Sequence, residues 1–166
     1  MKTSKHIIAI CSIVGLAAMS YLLWLHVAPV QSTGGVLCTI GERVSCLDVN
    51  KSVYSTILGV PLSVLGIGYF LAVLFAVSIL SLSKRHYAYL ALGSIVLLGP
   101  SVYLTAIEIF VLGKICLYCE LSKVMMIGIV GMAWKMSGDE RPDNNAVFMA
   151  VASALLLAMI TFYLQV

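Results

Sequence analysis

Charge is scarce in this sequence. Lys and Arg number 10 and Asp and Glu 7 among 166 residues, 10% together, where a soluble domain carries about 25%. That excludes an ordinary soluble fold. Polar sequence is scarce too: the longest piece outside the apolar runs is residues 28–57, too short for a separate soluble domain. Histidine occurs three times, and only His26 falls near the cysteine-bearing end described below, which leaves little for a mixed metal site. What is abundant is hydrocarbon: 61% hydrophobic residues and a mean hydropathy of +1.07. The chain reads as an integral membrane protein.

About 20 apolar residues cross a bilayer as a helix, and five runs suit, at roughly residues 7–27, 58–82, 87–113, 117–136 and 146–166. The first is longer than the roughly 7–15 residues of a signal h-region, so it reads as a retained span. Lys2, Lys5, Lys84, Arg85, Lys135 and Arg141 fall on the side of the N-terminus, against Arg43, Lys51 and Lys114 on the other. The positive-inside rule then puts the N-terminus in the cytoplasm of a cell-membrane protein. The 28–57 loop and the 113–116 turn face outward. These flanking cations account for the net charge of +3, which gives no argument for nucleic acid.

On this topology four of the five cysteines gather at the outer surface. Cys38 and Cys46 lie in the loop, and Cys116 and Cys119 open the fourth span, on the oxidising side where disulfides persist. Cys11 lies within the first span and reads as a small packing residue. In "CLYC" the first cysteine sits at a helix N-terminus, where unpaired N–H groups and the helix dipole favour an anion. This makes Cys116 the expected exchanging sulfur. A closed zinc site, which needs about four ligands, and a pair of inert thiols are the rival readings. The C-x7-C spacing of the loop pair and the lack of a second nearby histidine weigh against metal.

At 100° per residue Cys116, Cys119, Glu120 and Lys123 share one helix wall, with Lys123 about 10 Å deeper than Cys116. A lysine at that depth is expensive against lipid, so it faces the bundle interior. It pairs there with Glu120 or with Glu108 on the third span, or serves a polar-ended pocket beneath the dithiol. The two readings are compatible. "CTIGERVSC" closes a nine-residue ring that a disulfide accepts. After it, Val49, Val53 and Ile57 stand at helical spacing and predict a short amphipathic helix before Pro61.

Cys38 and Cys46 in the first outer loop, Ser52 six residues after Cys46, "GVPLSVLG" leading into the second span and "CLYC" opening the fourth together resemble the vitamin K epoxide reductase family, in particular its disulfide-generating prokaryotic homologues. The resemblance covers roughly residues 7–136. It implies an all-α integral membrane fold: a four-helix bundle around a quinone, with a fifth C-terminal transmembrane helix. It divides the chain into a catalytic bundle, 1–136, carrying the outer loop, and a connector with the fifth helix, 137–166. It also implies that Cys119 faces a membrane quinone of menaquinone or ubiquinone type, that Cys116 exchanges with Cys46, and that Cys38 meets a thioredoxin-like dithiol protein. Ser52 belongs to the loop-helix motif, and Lys123, Ser52 and Glu120 are the candidate quinone-binding residues. Vertebrate members have a tyrosine where this chain has Lys123, and an asparagine where it has Val60, Pro61 and Leu62, so the ligand's oxygens are met differently. Many bacterial members continue into a fused thioredoxin-like domain; ending at Val166, this chain is expected to use a separate one.

The expected function is that of a thiol:quinone oxidoreductase, oxidising a dithiol partner and reducing a quinone. The alternatives are a quinone or vitamin K epoxide reductase for which thiols are only the reductant, and a non-catalytic scaffold stapled by disulfides.

Overall fold

The computed structural model describes residues 2–28, 38–40 and 43–165. The chain runs through α1 (Lys2–Val27), β1 (Thr39–Ile40), β2 (Val44–Ser45), α2 (Cys46–Lys51), a 3₁₀ turn (Val53–Ser55), β3 (Thr56–Ile57), β4 (Val60–Pro61), α3 (Leu62–Ile79), α4 (Lys84–Phe110), α5 (Leu117–Ser137), a second 3₁₀ turn (Gly138–Glu140) and α6 (Asn144–Gln165). Among the described residues α1, α3, α4, α5 and α6 are long and apolar enough to cross a membrane. These are the five expected spans. Each is apolar on nearly every face, so large side chains such as Phe75, Leu155 and Tyr163 point away from the protein, as helices solvated by lipid do.

Lipid is as apolar as leucine, so these helices are held together by close packing rather than by hydrophobic burial. Packing α1 against α3 and α5, and α5 against α4, makes the bundle; α6 lies along α4. Two glycines set the approach distances. A Cβ at Gly15 on α1 would lie 2.3 Å from the Phe70 ring of α3, and one at Gly99 on α4 would lie 2.3 Å from the Ala154 carbonyl oxygen of α6. In the half of the bundle where α1 begins, Ile8, Phe70, Val73, Tyr87, Ala91 and Ile129 form a filled core. The α3–α4 side is packed only sparsely and is spanned by a hydrogen bond of 2.8 Å between the Tyr69 and Ser94 hydroxyls.

The span ends depart from the sequence reading. The second helix begins at Leu62, not at residue 58, because Thr56–Ile57 pairs antiparallel with Val60–Pro61 around Leu58 and Gly59, both at positive φ. The third begins at Lys84, ahead of the apolar run, because Ser83 and His86 form a reciprocal cap. It ends at Phe110, and Gly113 turns the chain at φ 63°. The amphipathic helix after Cys46 ends at Lys51. Val49 is buried, but Val53 is 73% exposed in the 3₁₀ turn and Ile57 belongs to the hairpin, so the three form no common stripe.

Candidate functional site

The loop and the start of α5 are joined through their backbones. Val44 bridges Ile115 in parallel register, with Ser45 N–H donating to the Ile115 carbonyl at 3.2 Å and Ile115 N–H to the Arg43 carbonyl at 2.9 Å. Each bridged segment is followed at once by a cysteine, Cys46 after Ser45 and Cys116 after Ile115. The register of one short bridge therefore sets how the two cysteine pairs meet. An ion pair between Asp48 of α2 and Lys114 fastens the same junction from outside. The Lys114 ammonium, with help from the Ser45 hydroxyl, holds the Asp48 carboxyl below its ordinary range.

Cys38 and Cys46 are joined as a disulfide with Cα atoms 5.5 Å apart, a separation that suits such a bond. Both are 0% exposed, as is Cys116. All three pack in one apolar cluster with Leu22, Leu25 and Val49, with Cys119 against its edge. Cys116 caps α5: its Sγ accepts from the Cys119 N–H at 3.3 Å, and the two sulfurs lie 2.7 Å apart. Cys116's own N–H donates to Glu108 Oε2 at 2.9 Å. Glu108 thus fixes the turn before α5 and leaves Lys123 to Glu120.

Beneath the sulfurs lies a cavity of about 390 Å³, within the range of roughly 300–1,000 Å³ usual for small-molecule sites. Its lining is largely apolar. Polar groups reach it from Asn50, Ser63, Glu108, Ser122 and Lys123, and Cys119 lies in its wall. Asn50 is buried and donates to the Leu22 carbonyl at 2.5 Å, tying α2 to α1. The Ser63 hydroxyl is buried with no hydrogen-bond partner among the described residues. Such a group normally has a partner, and one on a cavity wall is satisfied by an acceptor or donor brought in by a ligand. An apolar ring bearing oxygens, the description of a quinone, fits this lining.

The sequence-predicted residues divide. Cys38, Cys46, Cys116 and Cys119 come together. Lys123 lines the cavity and is bonded to Thr105 Oγ1 and Glu120 Oε1. Glu120 is not among the cavity-lining residues; it stands behind Lys123, where Thr105 also donates to it at 3.2 Å. Ser52 borders the cavity, but its hydroxyl closes α2 by donating to the Val49 carbonyl at 2.7 Å. Cys11 is half-buried on α1 near Gly128, away from the other four. Sequence reasoning missed Thr105, Asn50 and Ser63. It also missed the contribution of α6, which supplies Leu157, Ile160, Thr161 and Leu164 to the wall. Among the described residues no three His, Cys, Asp or Glu side chains converge as a metal site.

A helical membrane bundle with two cysteine pairs meeting above a largely apolar cavity has the layout of a thiol-based membrane oxidoreductase. The sequence matches the model of the vitamin K epoxide reductase family over residues 6–134, most of the chain, and the protein belongs to that family. Comparison with curated proteins gives no match. Membership makes it a membrane oxidoreductase that couples thiols to a quinone or its epoxide.

Proposed function

We propose that this protein is a thiol:quinone oxidoreductase that oxidises a thioredoxin-like dithiol protein outside the cell membrane and passes the electrons to a membrane quinone. The observation that carries this reading is the shared apolar cluster of Cys38, Cys46 and Cys116, with Cys119 leading from it into the cavity. Thiol–disulfide exchange runs by thiolate attack through mixed disulfides. A partner thiolate attacks Cys38 and releases Cys46. The partner's second thiolate then resolves the mixed disulfide, so the partner leaves oxidised and Cys38 and Cys46 are both thiols. Cys46 attacks Cys116 of an oxidised Cys116–Cys119 pair and releases Cys119. Attack by Cys38 on Cys46 then restores the loop disulfide and leaves the inner dithiol reduced. A bound quinone supplies the acceptor for that dithiol's two electrons and two protons.

The chain's own groups do the rest. The Val44–Ile115 bridge and the Asp48–Lys114 pair hold the two cysteine pairs in register. An ammonium has three N–H donors; two of those on Lys123 go to Thr105 and Glu120, and the third serves a ligand oxygen at the cavity. Ser63 offers a second polar contact. In this reading the N-terminus lies in the cytoplasm, which the excess of Lys and Arg on its side of the spans supports. Family membership also favours a second reading, in which reduction of a quinone epoxide is the purpose and the thiols only supply electrons. Purified protein given a reduced thioredoxin-like protein should bleach a soluble quinone with stoichiometric oxidation of the thiol protein. Consumption of epoxide but not of quinone decides for the second reading, and no turnover of either sinks both.

A further inference from the structure

The family match ends at residue 134, yet the cavity wall does not. On α6 the side chains Ala150, Ala154, Leu157, Thr161 and Leu164 follow one another at spacings of four and three, a single stripe. Ala150, Ala154 and Thr161 are buried. The stripe changes character along its length. At Ala154 the backbone of α6 presses on Gly99, leaving no room for even a Cβ. Beyond it Leu157, Ile160, Thr161 and Leu164 line the cavity. Those residues cover about 10 Å of helix at 1.5 Å rise per residue. Opposite them are Leu97, Pro100, Ser101 and Leu104 of α4 and Leu62 and Leu65 of α3. Cys119, Ser122 and Lys123 of α5 line the same cavity. The outer part of α6 also touches β3, so this wall is held at both ends.

We propose that α6 forms the wall against which the prenyl tail of the quinone lies, and that Leu157, Ile160 and Leu164 set the preference for tailed over tail-less quinones. The inference rests on the quinone reading given above. A largely aliphatic wall, Leu157, Ile160 and Leu164 against Leu97 and Leu104, in the same cavity as Lys123 and Cys119 suits a ligand with a polar ring and a long hydrocarbon tail. The sparse packing of α3 against α4 leaves a lateral side through which such a tail reaches the bilayer.

The test measures equilibrium binding of a long-tailed prenyl naphthoquinone and of the tail-less methyl-naphthoquinone to the full chain in lipid nanodiscs. Leu157→Trp should raise the Kd of the tailed ligand at least about tenfold, the effect of expelling a few methylene groups from an apolar site, with the tail-less ligand within about twofold. Equal change in both, or none in either, overturns the proposal. Because a bulky variant can loosen the α4–α6 contact, a second measurement leaves the wall intact. A photoreactive residue introduced at Leu157 should cross-link the tailed quinone, and one at Leu155, which is 63% exposed on the opposite face, should not. Equal cross-linking at both positions overturns it too. If neither quinone binds the unaltered protein, the quinone reading itself has failed.

Discussion

Replacing Lys123 by Met separates the two halves of the proposed reaction. The side chain is 11% exposed and holds Glu120 Oε1 and Thr105 Oγ1, so its third N–H is the charged donor offered to the cavity. A hydrogen bond from a charged group contributes about 1.5–3 kcal/mol, which converts to roughly 10- to 150-fold in kcat/KM for the quinone at about 1.36 kcal/mol per decade. The sulfurs are positioned by other groups: Glu108 holds the Cys116 N–H and the Val44–Ile115 bridge holds the loop. Exchange between the loop pair and the inner pair should therefore keep its rate. The assay is stopped-flow, with quinone bleaching following one half and the single-turnover thiol count following the other. Met keeps most of the volume, and Glu120, 36% exposed at its side chain, keeps its bond from Thr105. Equal loss in both halves would refute the assignment and make Lys123 a structural partner of Glu120.

Thr105→Val should reproduce part of the Lys123→Met defect, and Thr105→Ser should restore it, because Thr105 orients the ammonium rather than meeting the ligand; equal quinone KM values for Val and Ser variants would remove it from the site. Ser63→Ala should weaken quinone binding by roughly 2- to 12-fold, the value of one neutral hydrogen bond of about 0.5–1.5 kcal/mol, without lowering the melting temperature, since no protein group loses a partner; an unchanged Kd counts against the fit. In Cys119→Ala, Cys116 attacks Cys46 of the loop disulfide and releases Cys38, and no inner thiol is left to resolve the Cys46–Cys116 bond from the α5 side, so mass spectrometry of unreduced digests should find those two peptides joined. A dominant Cys38–Cys116 link would exchange the loop roles, and an intact Cys38–Cys46 bond alone would favour a stapled scaffold. The Asp48–Lys114 clamp depends on an ionised Asp48 whose folded value is depressed, so its contribution is complete above the ordinary carboxylate range and fades as pH falls through the lower folded value. Half-exposed pairs contribute at most about 1 kcal/mol; Asp48→Asn should thus slow loop-to-inner exchange by no more than about fivefold at neutral pH, and a decline of the unaltered protein between pH 8 and pH 5 would have to come from another group.

Composition and cysteine order carried the architecture: five apolar runs became five helices, and Cys38, Cys46, Cys116 and Cys119 met because their places in the chain all fall at one end of the bundle. Hydropathy could not see the hairpin at residues 56–61, since Ile57, Leu58 and Val60 count as apolar whether they enter a helix or turn back on themselves. Nor could it see the hydroxyls. Thr105, Ser63 and Ser122 are single weakly polar residues inside long apolar runs, cheap enough in a membrane to give no signal, and only the packing shows which of them face the cavity. Glu108 and Glu120 were legible as the two acids that could pair with Lys123, and the pair formed is the one with Glu120; the bond from the Cys116 N–H to Glu108 was not legible. Which of the two takes Lys123 depends on the turn at Gly113, which turns Glu108 toward the Cys116 backbone. Helix α6 has no charged residue and no motif, so its share of the cavity follows only from the Gly99–Ala154 contact.

The burial of Cys38 and Cys46 bears on bystanders as much as on partners. Small thiols and disulfides are present around any exported protein, and an exposed dithiol relay would equilibrate with them and dissipate its driving force. Here both sulfurs are buried, so thermodynamic willingness to donate electrons is not enough to be oxidised. A reductant must also reach a buried sulfur, and in the proposed reaction a folded protein docked at this end of the bundle has the contacts to do so that a small solute lacks. In the proposed relay that burial works as insulation on a conductor: current flows where a fitted contact is made.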